Sequence, residues 1–293
     1  MRSEREMMGL ILEIAKQDER VRAVILNGSR ANPNARKDIF QDFDIVYVVT
    51  EVAAIKNNPD WVSQFGELMI MQLPEEMQDP PPADDGSYAY LMQFADGNRI
   101  DLTLCPISKV DELTKDSLSV LLLDKDRIIP PFPSPNEKGY LPVPPTAKLF
   151  ADCCNEFWWV STYVAKGLWR EEITYAKAMQ DEYVRPQLFK MLAWYIGIHT
   201  GFEVNPGKLG KSFQQYLDPA MWKMLLATYA DADYGRTWDA LAAMCRLFRK
   251  ASRFVADHFG FAYPTSEDEN VIAHLKRMRS LPKDAKEYKE SGP

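Results

Sequence analysis

The chain has 293 residues, 46% of them hydrophobic and 26% charged, a balance that excludes a disordered polymer and suits one or two globular domains. Its formal net charge of −7 argues against long nucleic acid as a partner, because that binding rests on basic surface, and favours a small cation instead. The opening Met1-Arg2-Ser3-Glu4-Arg5-Glu6 is charged with no long apolar stretch behind it, so neither a signal peptide nor a membrane span is expected and the cytoplasm is the expected compartment.

Ser3 with Glu6 forms a capping-box pattern, and Met7, Leu10, Ile11 and Ile14 follow at helical spacing, which predicts a first amphipathic helix. Residues 21–26 read as a buried strand that ends at Asn27-Gly28-Ser29-Arg30. Residues 31–38 are polar and loop-like, and 43–50, dense in Val and Ile, read as a second strand. A short helix over 59–66, a strand over 67–72 and an exposed proline-stiffened loop over 79–86 come next. The turn signature Asp96-Gly97-Asn98 between the runs 88–94 and 99–106 predicts an antiparallel hairpin. A further apolar run covers 119–123.

Residues 130–145 hold seven of the chain's 20 prolines and cannot form a helix or central strand, so they read as a linker with a domain boundary near 145. Beyond it the pattern is helical. Phe157, Val160, Tyr163, Val164 and Leu168 lie on one stripe, and Leu188, Leu192, Tyr195 and Ile196 on another. Trp238, Leu241, Cys245, Phe248, Ser252, Val255 and Phe259 form a third, and the charged tail after Pro282 is expected to fray. The expected architecture is α+β: a mixed-sheet domain over 1–145, then a helical bundle over 146–293 that binds substrate. Cys105, Cys153, Cys154 and Cys245 show no CxxC pairing and read as buried free thiols. His199, His258 and His274 lack metal-ligand spacing, and most of Trp158, Trp159, Trp169 and Trp194 read as core.

The chemistry lies in three aspartates. Asp42 and Asp44 head the second strand one residue apart, so their carboxylates share a face, and a neighbouring strand can bring Asp101 to them. Three clustered carboxylates repel unless cations neutralise them, and hard oxygen donors suit Mg²⁺ shared with substrate phosphates. Gly28 and Ser29 open a turn where backbone can approach a phosphate closely. An apolar strand, Gly-Ser, Asp-x-Asp, a second apolar strand and a later strand-borne Asp together point to nucleotidyl transfer.

That combination resembles the nucleotidyltransferase superfamily of DNA polymerase beta type. The longer strings Ile25-Leu26-Asn27-Gly28-Ser29-Arg30-Ala31-Asn32, Asp38-Ile39-Phe40-Gln41-Asp42-Phe43-Asp44-Ile45-Val46-Tyr47 and Gly97-Asn98-Arg99-Ile100-Asp101-Leu102-Thr103-Leu104 resemble the aminoglycoside 6-adenylyltransferases, the streptomycin adenylyltransferases. Met191-Leu192-Ala193-Trp194-Tyr195-Ile196-Gly197 and Gly207-Lys208-Leu209-Gly210-Lys211 extend the likeness through nearly the whole chain.

The resemblance implies transfer of AMP from ATP to a hydroxyl of streptomycin, release of pyrophosphate, antibiotic resistance, and a monomer whose partners are ATP and a cationic aminoglycoside. The alternative is the same fold acting on another small molecule, such as a lincosamide, or on a protein hydroxyl. Two Mg²⁺ ions would be held by Asp42, Asp44 and Asp101, with Asp101 either a ligand or the general base. Gly28, Ser29, Arg30, Lys208 and Lys211 would meet the triphosphate. The acidic pairs Glu171-Glu172 and Asp181-Glu182 would meet a guanidinium-bearing substrate.

Overall fold

The computed structural model describes residues 1–82 and 85–288; residues 83 and 84 of the proline loop and 289–293 of the tail lie outside the described residues. The chain divides into two compact units, Met1–Gly139 and Tyr140–Pro293, the break falling inside the proline-rich stretch. The fold is α+β, with a mixed sheet in the first unit and helices in the second.

In the first unit α1 (Glu4–Gln17) starts at a capping box in which the Ser3 side chain and the Glu6 side chain satisfy each other's backbone amides. β1 (Val21–Asn27), the one-turn α2 (Gly28–Ala31) and β2 (Phe43–Val49) follow, then the short α3 (Val52–Lys56) and a 3₁₀ segment Pro59–Phe65. β3 (Leu68–Gln72), β4 (Tyr88–Phe94), β5 (Arg99–Pro106), the short α4 (Val110–Leu113) and β6 (Ser119–Asp124) complete the unit.

The sheet order is β3-β4-β5-β2-β1-β6. Every pairing is antiparallel except β2 with β5, which run parallel with Asp44 opposite Asp101. β4 and β5 form the expected hairpin, with Gly97 at φ +88 in its turn and Arg2 gripping Asp96 at 2.7 Å.

Strand parity sorts the two faces of this sheet. Phe43, Ile45, Tyr47 and Val49 of β2 and Ile100, Leu102 and Leu104 of β5 pack with Met7, Ile11 and Ile14 of α1 and with Trp61, Val62 and Phe65. The Tyr47 hydroxyl donates to the Ile11 carbonyl and ties that helix to the sheet. Val46, Val48 and Cys105 point the other way, into a smaller cluster with Ala23, Ile25, Val110 and Ile129. Asp44 and Asp101 have the parity of this second, thinner face.

The second unit is a helical bundle: α5 (Ala147–Trp169), α6 (Ile173–Ala178), α7 (Arg185–Thr200), α8 (Phe213–Tyr216), α9 (Pro219–Leu226), α10 (Tyr234–Phe259) and α11 (Thr265–Ser280). The apolar stripes expected on α5, α7 and α10 face one core, where Phe157 stacks on Phe248 at 3.7 Å between ring centroids. Thr146 and Asp233 cap α5 and α10, and Gly260 ends α10 in the left-handed conformation.

Two features differ from the sequence expectation. Met179–Val184 is a π-helical stretch between α6 and α7, a rare geometry that no hydrophobic period announces. The described part of the tail has partners: Lys283 donates to the Trp169 carbonyl at 2.6 Å, and the Tyr288 hydroxyl lies 2.6 Å from His274 Nδ1. Among the described residues no helix is long and apolar enough to cross a membrane, and all four cysteines are buried and free.

Candidate active site

Gly28 sits at the end of β1 with φ +70, a backbone conformation that L side chains rarely adopt. A Cβ built there would lie 2.2 Å from Asp44 Oδ2. The glycine therefore makes room for a carboxylate as well as bending the chain. Its amide donates to the Leu118 carbonyl at 3.2 Å, which fixes the turn to the segment entering β6. Beside it, Asn27 accepts from the Ser119 hydroxyl at 2.9 Å, so β1, β2 and β6 meet at one point. The Ser29 carbonyl and hydroxyl lie 3.4 and 3.5 Å from Gln41 Nε2.

Parallel pairing of β2 and β5 places Asp44 and Asp101 as direct neighbours, and Asp42 precedes Asp44 on the same side. Burial pushes the Asp44 carboxyl up to about 6, and the charges of Asp101 and Asp42 add to that rise. Burial also raises Asp42, with Asp101 contributing, while Arg99 pulls it back. Among the described residues no hydrogen bond reaches the Asp44 carboxylate.

Arg99 is the residue that sequence reasoning missed. Its Nε and Nη2 donate to the two oxygens of Asp101 at 2.7 and 2.8 Å, and its Nε lies 3.9 Å from Asp42 Oδ2. The signal was available: residues 99 and 101 are two apart on a strand and share a face.

Arg30 departs from the expected phosphate contact. Its side chain is 8% exposed and lies over the Phe43 ring at 3.7 Å. Its Nε and Nη2 donate to the carbonyls of Asp42 and Gln41 at 3.0 and 2.7 Å, and its Nη1 lies 3.3 Å from Glu4. With those donors engaged, Arg30 fixes the backbone that carries Asp42.

Gly28, Ser29, Arg30, Asp42, Asp44 and Asp101 thus gather at one end of the sheet. The expected cage of three carboxylates is not closed: among the described residues no group of three or more His, Cys, Asp or Glu side chains is arranged to hold a metal ion. Both oxygens of Asp101 are met by the Arg99 guanidinium. The paired hard donors Asp42 and Asp44 still suit Mg²⁺, which commonly takes one or two carboxylates and completes its shell with phosphate oxygens and water.

The remaining candidates belong to the second unit. Lys208 and Lys211 are exposed on a loop whose Gly207, Leu209 and Gly210 all have positive φ, and Leu209 is itself 82% exposed. Neither lysine forms an ion pair among the described residues. Glu171 lies 3.3 Å from Lys283, and Asp181 is bound to Arg185 at 2.8 Å with Lys177 at 3.8 Å. Glu172 and Glu182 are exposed. Trp158 and Trp194 are core, whereas Trp159 is 60% exposed and donates to the Tyr163 hydroxyl. His199 stacks on Phe254 and His274 meets Tyr288, both structural placements.

A family model described as streptomycin adenylyltransferase matches residues 1–278. The aminoglycoside 6-adenylyltransferase of Bacillus subtilis (strain 168) is 43% identical over 278 residues, covering 94% of this chain and 98% of that protein. That of Campylobacter jejuni is 41% identical, covering 98% of this chain and 100% of the relative. That of Staphylococcus aureus is 39% identical, covering 93% and 98%.

Proposed function

The chain belongs to the streptomycin adenylyltransferase family and is a nucleotidyltransferase, and from that premise we propose that it transfers AMP from ATP to a hydroxyl of an aminoglycoside, with streptomycin as the acceptor. The observation that carries the reading is the parallel register that sets Asp44 against Asp101 beside a glycine where a side chain would be strained and would crowd the Asp44 carboxylate.

Asp42 and Asp44 would hold Mg²⁺ against the triphosphate, and Asp101 would receive either a cation or the proton of the acceptor hydroxyl. Bound there, Mg²⁺ would neutralise phosphate charge and lower the pKa of the acceptor hydroxyl. Gly28 keeps the turn flat against Asp44, and Arg30 holds the Gln41–Asp42 backbone so that the Asp42 carboxylate keeps its aim. The acceptor oxygen attacks the alpha phosphorus, the bond to the bridging oxygen breaks, and pyrophosphate leaves. No covalent enzyme intermediate is needed.

Lys208 and Lys211 are proposed as triphosphate contacts, supported by their exposure on a loop of left-handed residues, a kind of backbone strain that clusters at functional segments. Of the acidic pairs, Glu172 and Glu182 are the members that form no ion pair among the described residues, and they are the ones proposed to meet a guanidinium. The net charge of −7 supports attraction of a cationic acceptor, and inactivation of such an antibiotic in the cytoplasm would confer resistance.

The test is direct. Incubation with ATP, Mg²⁺ and streptomycin should release pyrophosphate and give a product heavier by one AMP by mass spectrometry. Absence of product across a panel of aminoglycosides would overturn the acceptor assignment.

A further inference from the structure

We propose that Arg99 is the counter-ion of the carboxylate cluster in the metal-free protein and competes with the divalent cation for Asp101. The inference rests on the nucleotidyltransferase reading of this site.

Three carboxylates, Asp42, Asp44 and Asp101, converge where, among the described residues, Arg99 is the one guanidinium that reaches their side chains. Arg30 lies near, but its donors go to the Asp42 and Gln41 carbonyls and to Glu4. Arg99 instead places a two-pronged fork on both oxygens of Asp101, at 2.7 and 2.8 Å, with Asp42 at 3.9 Å. Fork-on-carboxylate pairing is among the stronger polar contacts a protein makes. A cation that needs an Asp101 oxygen must displace an N–H from it.

Exposure shows that the exchange is feasible. Arg99 is 41% exposed, so its guanidinium can swing off Asp101 into solvent while its strand stays in place. Arg185 in the helical unit differs: it meets only Oδ1 of Asp181, also donates to Thr228, is only 8% exposed and packs over Tyr229, so it is held from several sides. Once a divalent cation holds the carboxylates, the freed guanidinium stands beside the place where phosphates gather and can pair with the nucleotide. One residue therefore opposes the metal and assists the nucleotide, and the two effects have opposite sign.

The experiment is a Mn²⁺ titration of the metal-free protein, read by electron paramagnetic resonance, for wild type, Arg99→Gln, Arg99→Lys and Asp44→Asn. Arg99→Gln should bind Mn²⁺ about three- to tenfold more tightly, the scale of a part-exposed charge-assisted pair, and Arg99→Lys should fall between it and wild type. The same Arg99→Gln protein should bind the Mg²⁺ complex of a nonhydrolysable ATP analogue more weakly. Its metal-free thermal midpoint should drop by about 2–3 °C and recover with Mn²⁺, which also shows that it is folded.

If Arg99 merely holds Asp101 in place, its removal weakens Mn²⁺ binding, and unchanged or weaker binding overturns the proposal. Mn²⁺ binding that is insensitive to Asp44→Asn overturns the metal site itself, and absence of binding at millimolar concentrations in every variant does the same. AMP transfer by the wild type with no tightening in Arg99→Gln removes this inference and leaves the proposed function standing.

Discussion

Two carboxylates in this molecule, one fully buried and one half-buried, have opposite surroundings. Asp268 in the helical unit is fully buried, and its oxygens are met by a forked pairing from Arg249 and by the Tyr263 hydroxyl at 2.7 Å. Asp44 on β2 sits against Gly28 with two other carboxylates nearby and no hydrogen bond to its own oxygens among the described residues. The first is a closed account of charge, which holds α10 to the start of α11. The second is an open one, stable only because the rest of the sheet imposes it. Left-over like charge, rather than charge as such, distinguishes the second site, and it is what the proposed cation would neutralise.

The largest expected effect falls on the open carboxylate. Asp44→Asn should lower the rate of AMP transfer by about a thousandfold or more, since a group that would hold the cation is lost. The same change should stabilise the metal-free protein by about 2 kcal/mol, because a disfavoured charge is removed, and a denaturant melt would show it. Loss of both activity and stability would break the contrast drawn above.

Asp268→Ala should do the reverse. Removing one partner of a buried pair leaves Arg249 and Tyr263 unmatched, and stability should fall by about 3 kcal/mol, with kcat of the remaining folded enzyme little changed. A chemical denaturation curve and an active-site-normalised assay would check this.

Gly28→Ala comes next. A side chain at φ +70 that meets Asp44 Oδ2 strains the turn and pushes the carboxylate aside. The expected cost is about 1–3 kcal/mol in stability, with kcat/KM reduced by about a hundredfold.

The smallest effect is in pH. The folded Asp44 carboxyl, at about 6, lies above its ordinary value of 3.8, so the folded state holds its proton more tightly than the unfolded chain does. Its contribution to stability is fully present below about 4 and is lost as pH rises toward 6. Asp96, held well below the usual range by Arg2, acts in the opposite direction at lower pH. The difference in stability between wild type and Asp44→Asn isolates the Asp44 part, and it should grow in favour of the variant across pH 4 to 6 in thermal melts.

Much of this was legible in the chain. The runs that became β1, β2, β4 and β5 carry apolar residues and turn signals dense enough to mark each strand, and Asp96-Gly97-Asn98 marked the hairpin that delivers Asp101. Alternation on β2 put Asp42 and Asp44 on one side. Arg30 was harder, because an arginine after a glycine turn looks the same whether it faces solvent or lies flat on Phe43, and only the fold decides. The grip of Arg99 on Asp101 needed a comparison of neighbouring positions on one strand. The π stretch at Met179–Val184 leaves no periodic trace, and the tail is pinned by Lys283 and Tyr288 through contacts distant in sequence.

The parity of the central strands has a further consequence, for folding fidelity. At their leading ends β2 and β5 alternate between residues that join the aromatic cluster of Trp61, Phe65 and Tyr90 and the charged Asp44, Arg99 and Asp101, while further along the second face is taken by Val46, Val48 and Cys105. A slip of β5 by one residue would turn Asp101 into that cluster and expose Ile100 and Leu102. Burying an unpaired carboxylate there costs several kcal/mol, more than most register errors would incur in an all-apolar strand. The aspartates thereby act as a key during assembly: every odd shift of the two parallel strands would bury a charge in the hydrophobic layer, and the observed alignment keeps both outside and sets them side by side.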